Sequence, residues 1–127
     1  MAIDHYDPLV TPDAKQWLAL SEDERIQFTL EHHTCMDIEP PRVNAHALLH
    51  VIVENQIALG DETPVRLKVR QLMAQGLDRH EAIHAIASVL VKYLGDLVRL
   101  EVPAAEGTHR YYAALRRLTA RKWLRSG

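Results

Sequence analysis

The stretch NAHALLHVIVENQIAL, residues 44–59, decides the fold. Leu48, Leu49, Val51, Ile52, Val53, Ile57 and Leu59 fall on every side of a helical projection, which predicts a buried helix over residues 45–59 rather than an amphipathic surface one. A step of four residues returns to nearly the same face one turn on. His46, His50 and Glu54 therefore form a single polar row, H-x-x-x-H-x-x-x-E, along an otherwise apolar helix. A polar row in such surroundings needs partners, because burying an unsatisfied polar group is costly.

A second pair of the same spacing, His80 and His84, lies downstream. Its helix is predicted to open at Asp78, with Ile83, Ile86, Leu90, Leu94 and Leu97 on one apolar face and the two histidines bordering it. Residues 64–75 predict a further helix between the two pairs. An up-down-up path would make the outer helices roughly parallel and bring both pairs to similar height. The expectation is one shared site. A helix N-terminus disfavours imidazolium, so histidines in the first turns are biased towards the neutral form that metals bind.

Two imidazoles one turn apart can chelate a metal ion. The candidate ligands are His46, His50, His80 and His84, with Glu54 as a fifth ligand or as a catalytic general base. Zinc or iron suits imidazole donors. A metal-bound water with Glu54 taking its proton would support hydrolysis. The set departs from the Glu-x-x-His pattern of di-iron bundles, which favours a mononuclear site. The plainer reading is that the imidazoles hydrogen-bond to Glu54, Glu81, Asp78 or backbone carbonyls and fix helix register. Eight histidines placed at random would give roughly half of one such pair, and two are present, a modest enrichment. No nucleophile elbow, P-loop, dinucleotide loop or zinc-finger spacing names a reaction.

Around this centre the 127 residues imply one all-α domain, a bundle of five or six helices, since no run alternates apolar and polar with a period of two. Residues 1–10 read as an extended or loosely docked arm, 11–101 as the core and 107–127 as a C-terminal helix. Thr11, Pro12 and Asp13 predict a helix start, and Ser21 with Glu24 predicts a capping box for the next helix, running to about Met36. Pro40 and Pro41 then break the chain. Thr63 and Pro64 open the fourth helix and Gly76 stops it. His32, His33 and Cys35 sit too close in sequence to converge from one helix, and Cys35 reads as a small packed residue. With one cysteine no internal disulfide forms, the opening residues lack a leader pattern, and no apolar run reaches bilayer length. The expectation is a cytoplasmic protein without a transmembrane segment.

Charge is uneven. From Gly107 onward there are six basic residues and no acidic ones, against nine basic and seventeen acidic before it. Arg110, Arg117, Arg121 and Arg125 cluster opposite Tyr111, Tyr112, Leu115, Leu118 and Trp123, a basic amphipathic helix. Its aromatic face predicts docking on this domain or on a second copy, which makes a homo-oligomer one expected partnership. Residues 102–107 read as its linker. Nucleic acid is disfavoured: the chain is slightly acidic, and the helix that would enter a groove begins with Asp78 and Glu81. The rival to a metal protein is therefore a non-catalytic interaction module whose histidines are structural and whose tail binds a partner.

The strings NAHALLHVIVENQIALGD and GLDRHEAIHAIASVL, preceded by WLALSEDERIQF, resemble a family of short bacterial helical proteins classed as a domain of unknown function. The matching elements are His46, His50, Glu54, Asn55, Gln56, Arg79, His80 and His84, within residues 15–92. The resemblance implies a bacterial, cytoplasmic, helical protein. It implies no reaction and no catalytic residues, and the basic tail lies outside it.

Overall fold

The computed structural model describes Ile3 and residues 5–34, 42–99 and 103–126. The fold is all-α. Among the described residues there are seven α-helices and no strand: α1 (Ala14–Ala19), α2 (Glu22–Thr34), α3 (Arg42–Ala58), α4 (Val65–Ala74), α5 (Arg79–Arg99), α6 (Ala104–Arg117) and α7 (Ala120–Ser126). The expected breaks at Pro40 and Pro41, the end of α2 near Met36 and the packing of Cys35 lie outside the described residues, as does the side chain of His33. The helices divide into two compact units, Met1–Arg66 and Leu67–Gly127.

In the first unit α1 and α2 both pack on α3. Asp13, not Thr11, caps α1, its carboxylate accepting the Gln16 N–H at 2.9 Å. The side-chain oxygen supplies the acceptor for an otherwise orphan donor, so the helix begins at Ala14. The capping box at α2 is as expected: the Glu24 N–H donates to Ser21 Oγ at 3.1 Å, and the Ser21 N–H donates to Glu24 Oε1 at 3.0 Å. These hydrogen bonds hold the Glu24 carboxyl below its ordinary value, the backbone bond most.

Polar groups staple α1 and α2 to α3. The buried Trp17 donates its indole N–H to Asn55 Oδ1 at 2.9 Å, and Arg25 donates to the same oxygen at 3.0 Å. Arg25 also donates to the Trp17 and Leu18 carbonyls at 3.0 and 2.9 Å, satisfying the end of α1. Helix α3 starts at Arg42, three residues earlier than expected, and is less enclosed than its sequence implies. Ala47, Val51, Val53 and Ile57 are buried, but Leu48 is 43 % exposed and Leu59 lies beyond the helix end. Its hydrophobic residues exceed the area its neighbours cover, an ordinary outcome for leucine at a surface.

In the second unit α6 and α7 pack on α5. Helix α4 ends as Gly76 predicts: at φ 108° the glycine takes the left-handed conformation, the Leu77 N–H reaches the Leu72 carbonyl at 3.2 Å and the Gly76 N–H the Met73 carbonyl at 3.0 Å. Asp78 caps α5 through the Glu81 N–H at 2.8 Å. Along α5, Ile83, Ile86 and Leu90 are buried as expected, whereas Leu94 is exposed.

The tail differs from a single helix with a linker. Residues 104–107 already belong to α6, because Gly107 is buried against α5 where a Cβ would overlap the Leu97 side chain. Leu118 and Thr119 then interrupt the helix. Thr119 accounts for the break: its hydroxyl accepts the Lys122 N–H at 3.1 Å and starts α7 anew. Tyr111, Leu115, Leu118 and Ala120 are buried, while Arg116, Arg117, Arg121 and Arg125 face solvent. Trp123 donates to Glu81 Oε2 at 2.6 Å. No helix among the described residues is long and apolar enough to cross a membrane.

Candidate metal centre

The first pair stands one turn apart on α3, the His46 and His50 ring centroids 4.9 Å apart at 45°. His50 is 1 % exposed and His46 half-buried. The second pair stands on the first two turns of α5, His80 and His84, ring centroids 4.2 Å apart at 61° and both half-buried. Each of the four side chains offers one nitrogen, and these ligand atoms all lie within 4.8 Å of one another. His46, His50, His80 and His84 can thus hold a metal ion.

Glu54, one turn beyond His50, is 1 % exposed. Its Oε2 accepts the Tyr6 hydroxyl at 2.7 Å. The same hydroxyl oxygen lies 3.0 Å from His50 Nδ1. Tyr6 is itself 4 % exposed, its ring 5.8 Å from that of Trp17, 6.0 Å from His32 and 5.9 Å from His50.

At Tyr6 the chain is packed and hydrogen-bonded, where an extended or loosely docked arm was expected. A turn at residues 7–10, closed by the Val10 N–H on the Asp7 carbonyl at 3.0 Å and the Leu9 N–H on Asp7 Oδ1 at 3.0 Å, directs the chain from Tyr6 towards α1. Tyr6 is the site residue that sequence reasoning missed. The Asp7-Pro8 dipeptide is a turn signal that marks the segment as shaped. Nothing periodic says that the tyrosine before it is buried.

Of the His32, His33 and Cys35 trio only the side chain of His32 lies among the described residues, and it rests edge-on to Tyr6. Comparison of the chain with protein-family models, curated proteins and solved structures found no match.

Proposed function

We propose that this protein binds one divalent transition-metal ion through His46, His50, His80 and His84. The observation that carries the reading is the gathering of four imidazole nitrogens within 4.8 Å of one another. Zinc–nitrogen bonds of about 2.0–2.1 Å in a tetrahedral shell put ligand nitrogens about 3.3 Å apart. The widest pair would close by roughly 1.5 Å, which χ rotations of the half-buried His46, His80 and His84 would supply. All four donors are imidazoles, which bind metal in the neutral form and suit zinc or iron(II) and not calcium or magnesium, whose preference is for oxygen.

The number of donors bears on chemistry. Four imidazoles complete the tetrahedral shell of zinc, so a zinc ion here would brace the fold rather than carry a reactive water. A six-coordinate iron(II) ion would keep two positions open, and hydrolysis or any other reaction at the metal requires such a position. Glu54 as fifth ligand or general base belongs to that open form. Its carboxylate holds the Tyr6 hydroxyl, which favours a supporting task over a place on the metal.

Protein purified without a polyhistidine tag provides the test. Elemental analysis should find one equivalent of metal per chain, or take up one equivalent of zinc or iron(II) on titration. His46→Ala and His84→Ala should each weaken binding strongly, because each pair would lose its chelate. Absence of uptake by the wild-type chain would overturn the reading.

A further inference from the structure

The buried contact among Tyr6, His50 and Glu54 fixes more than a side chain's position. A phenol has one proton to give. The 2.7 Å separation to Glu54 Oε2 is that of a hydroxyl donating to a carboxylate, shorter than the 3.0 Å contact to His50 Nδ1. With its proton committed to Glu54, the Tyr6 oxygen receives the second contact as an acceptor. The donor must then be Nδ1–H of the imidazole. A neutral imidazole carries one ring proton, so its Nε2 keeps the lone pair.

We infer that Tyr6, held by Glu54, is a positioning residue that keeps His50 in its Nδ1–H tautomer and presents Nε2 as the metal-binding atom. The metal half of this inference rests on the function proposed above; the tautomer half does not. Metal-bound histidines characteristically donate their second ring N–H to an outer partner, which fixes the ring and raises its basicity. Here that partner comes from the segment before α1 and is itself anchored on the helix that bears the ligand. The Tyr6 ring also meets that of Trp17, tilted at 42°, and the Trp17 indole N–H is tied to Asn55, the residue after Glu54. Residues 50, 54 and 55 of α3 thus hold the N-terminal segment through two aromatic side chains.

Tyr6→Phe removes the hydroxyl and keeps the ring, so its packing should survive. Two measurements are needed. Long-range ¹H–¹⁵N NMR of the metal-free protein should show His50 protonated at Nδ1 in the wild type, with mixed tautomers in Tyr6→Phe. An Nε2-protonated His50 in the wild type, or an unchanged ring in the variant, overturns the tautomer assignment. Competition titration with cobalt(II) and zinc should show metal affinity falling about 10–100-fold in Tyr6→Phe, the usual effect of losing an outer-shell partner. Glu54→Gln, whose amide oxygen still accepts the hydroxyl proton, should retain most of the affinity. Equal affinity in wild type and Tyr6→Phe overturns the positioning role. A wild-type chain that binds neither metal overturns the proposed function and the metal half with it, while the NMR result still decides the tautomer.

Discussion

The ammonium of Lys68 donates to the carbonyl oxygen of Leu118 at 3.0 Å and to that of Arg116 at 3.5 Å, from a position only 7 % exposed. A cation on α4 thereby satisfies carbonyls at the end of α6, where the negative end of the helix dipole favours positive charge. Burial pushes the Lys68 pKa below its ordinary 10.5. Lys68→Met keeps the stem and removes the donor, and should lower stability by about 1–3 kcal/mol at neutral pH, read as a urea midpoint. The pH dependence has a definite sign. Just below pH 10.5 the unfolded chain binds more protons at this residue than the folded one, so Lys68 makes stability rise with pH through that window. The gap between wild type and Lys68→Met should therefore widen from neutral pH to about pH 10; a narrowing gap contradicts the assignment.

The capping box supplies a second pH signature, of the opposite kind. Glu24 is depressed from 4.5 by its bonds to Ser21, so its contribution is complete above 4.5 and disappears as pH falls through the lowered folded value. Ser21→Ala removes the reciprocal partner and should cost about 0.5–2 kcal/mol at pH 7. The difference between the two proteins should shrink in acid, which urea titrations at a series of pH values would reveal.

Much of this architecture was readable in the chain because caps and stops are local. Ser21 with Glu24, Asp78 and Gly76 each act on a backbone group within five residues, and each does what its sequence context implies. The spacing of His46 with His50 and of His80 with His84 was equally plain, since an i, i+4 step is a property of one helix. What could not be read were pairings set by tertiary packing. Tyr6 meets His50 and Glu54 across more than forty residues, and Lys68 meets Leu118 across fifty. No periodicity encodes such meetings. The division of the tail into α6 and α7 was readable from Thr119, but a continuous apolar face masked it.

His50 gives a stability prediction that is independent of metal. Its imidazole is enclosed and bonded to Tyr6, so His50→Ala should lower the urea midpoint by an amount equivalent to about 1–3 kcal/mol in metal-free protein. His109 is exposed on α6, and His109→Ala should stay within about half a kcal/mol. Equal midpoints for the two variants would show that the Tyr6 contact contributes nothing to folding. Zinc should then raise the midpoint of wild type and leave that of His50→Ala nearly unmoved, because only a native state with its ligands intact gains from the ion.

The last prediction concerns what holds the tail. Leu115 is fully buried and Tyr111 nearly so, and α6 lies against α5 at the close approach that Gly107 permits. An isolated helix of this length is marginal in water, so its order must come from that burial. The charged contacts contribute little by comparison: Arg110 pairs with Glu106 at 2.9 Å, one turn away on an exposed face, a kind of pair worth only a few tenths of a kcal/mol. Two polar bonds add registry, the Ala120 N–H on Gln75 Oε1 at 2.8 Å and Trp123 on Glu81. Amides of α6 should therefore exchange slowly and keep their protection in about 0.5 M sodium chloride, where charges are screened beyond about 4 Å. Leu115→Ala should cost about 2–5 kcal/mol and speed exchange along α6. If salt released the tail while Leu115→Ala did not, the helix would be held by its arginines rather than by its apolar face.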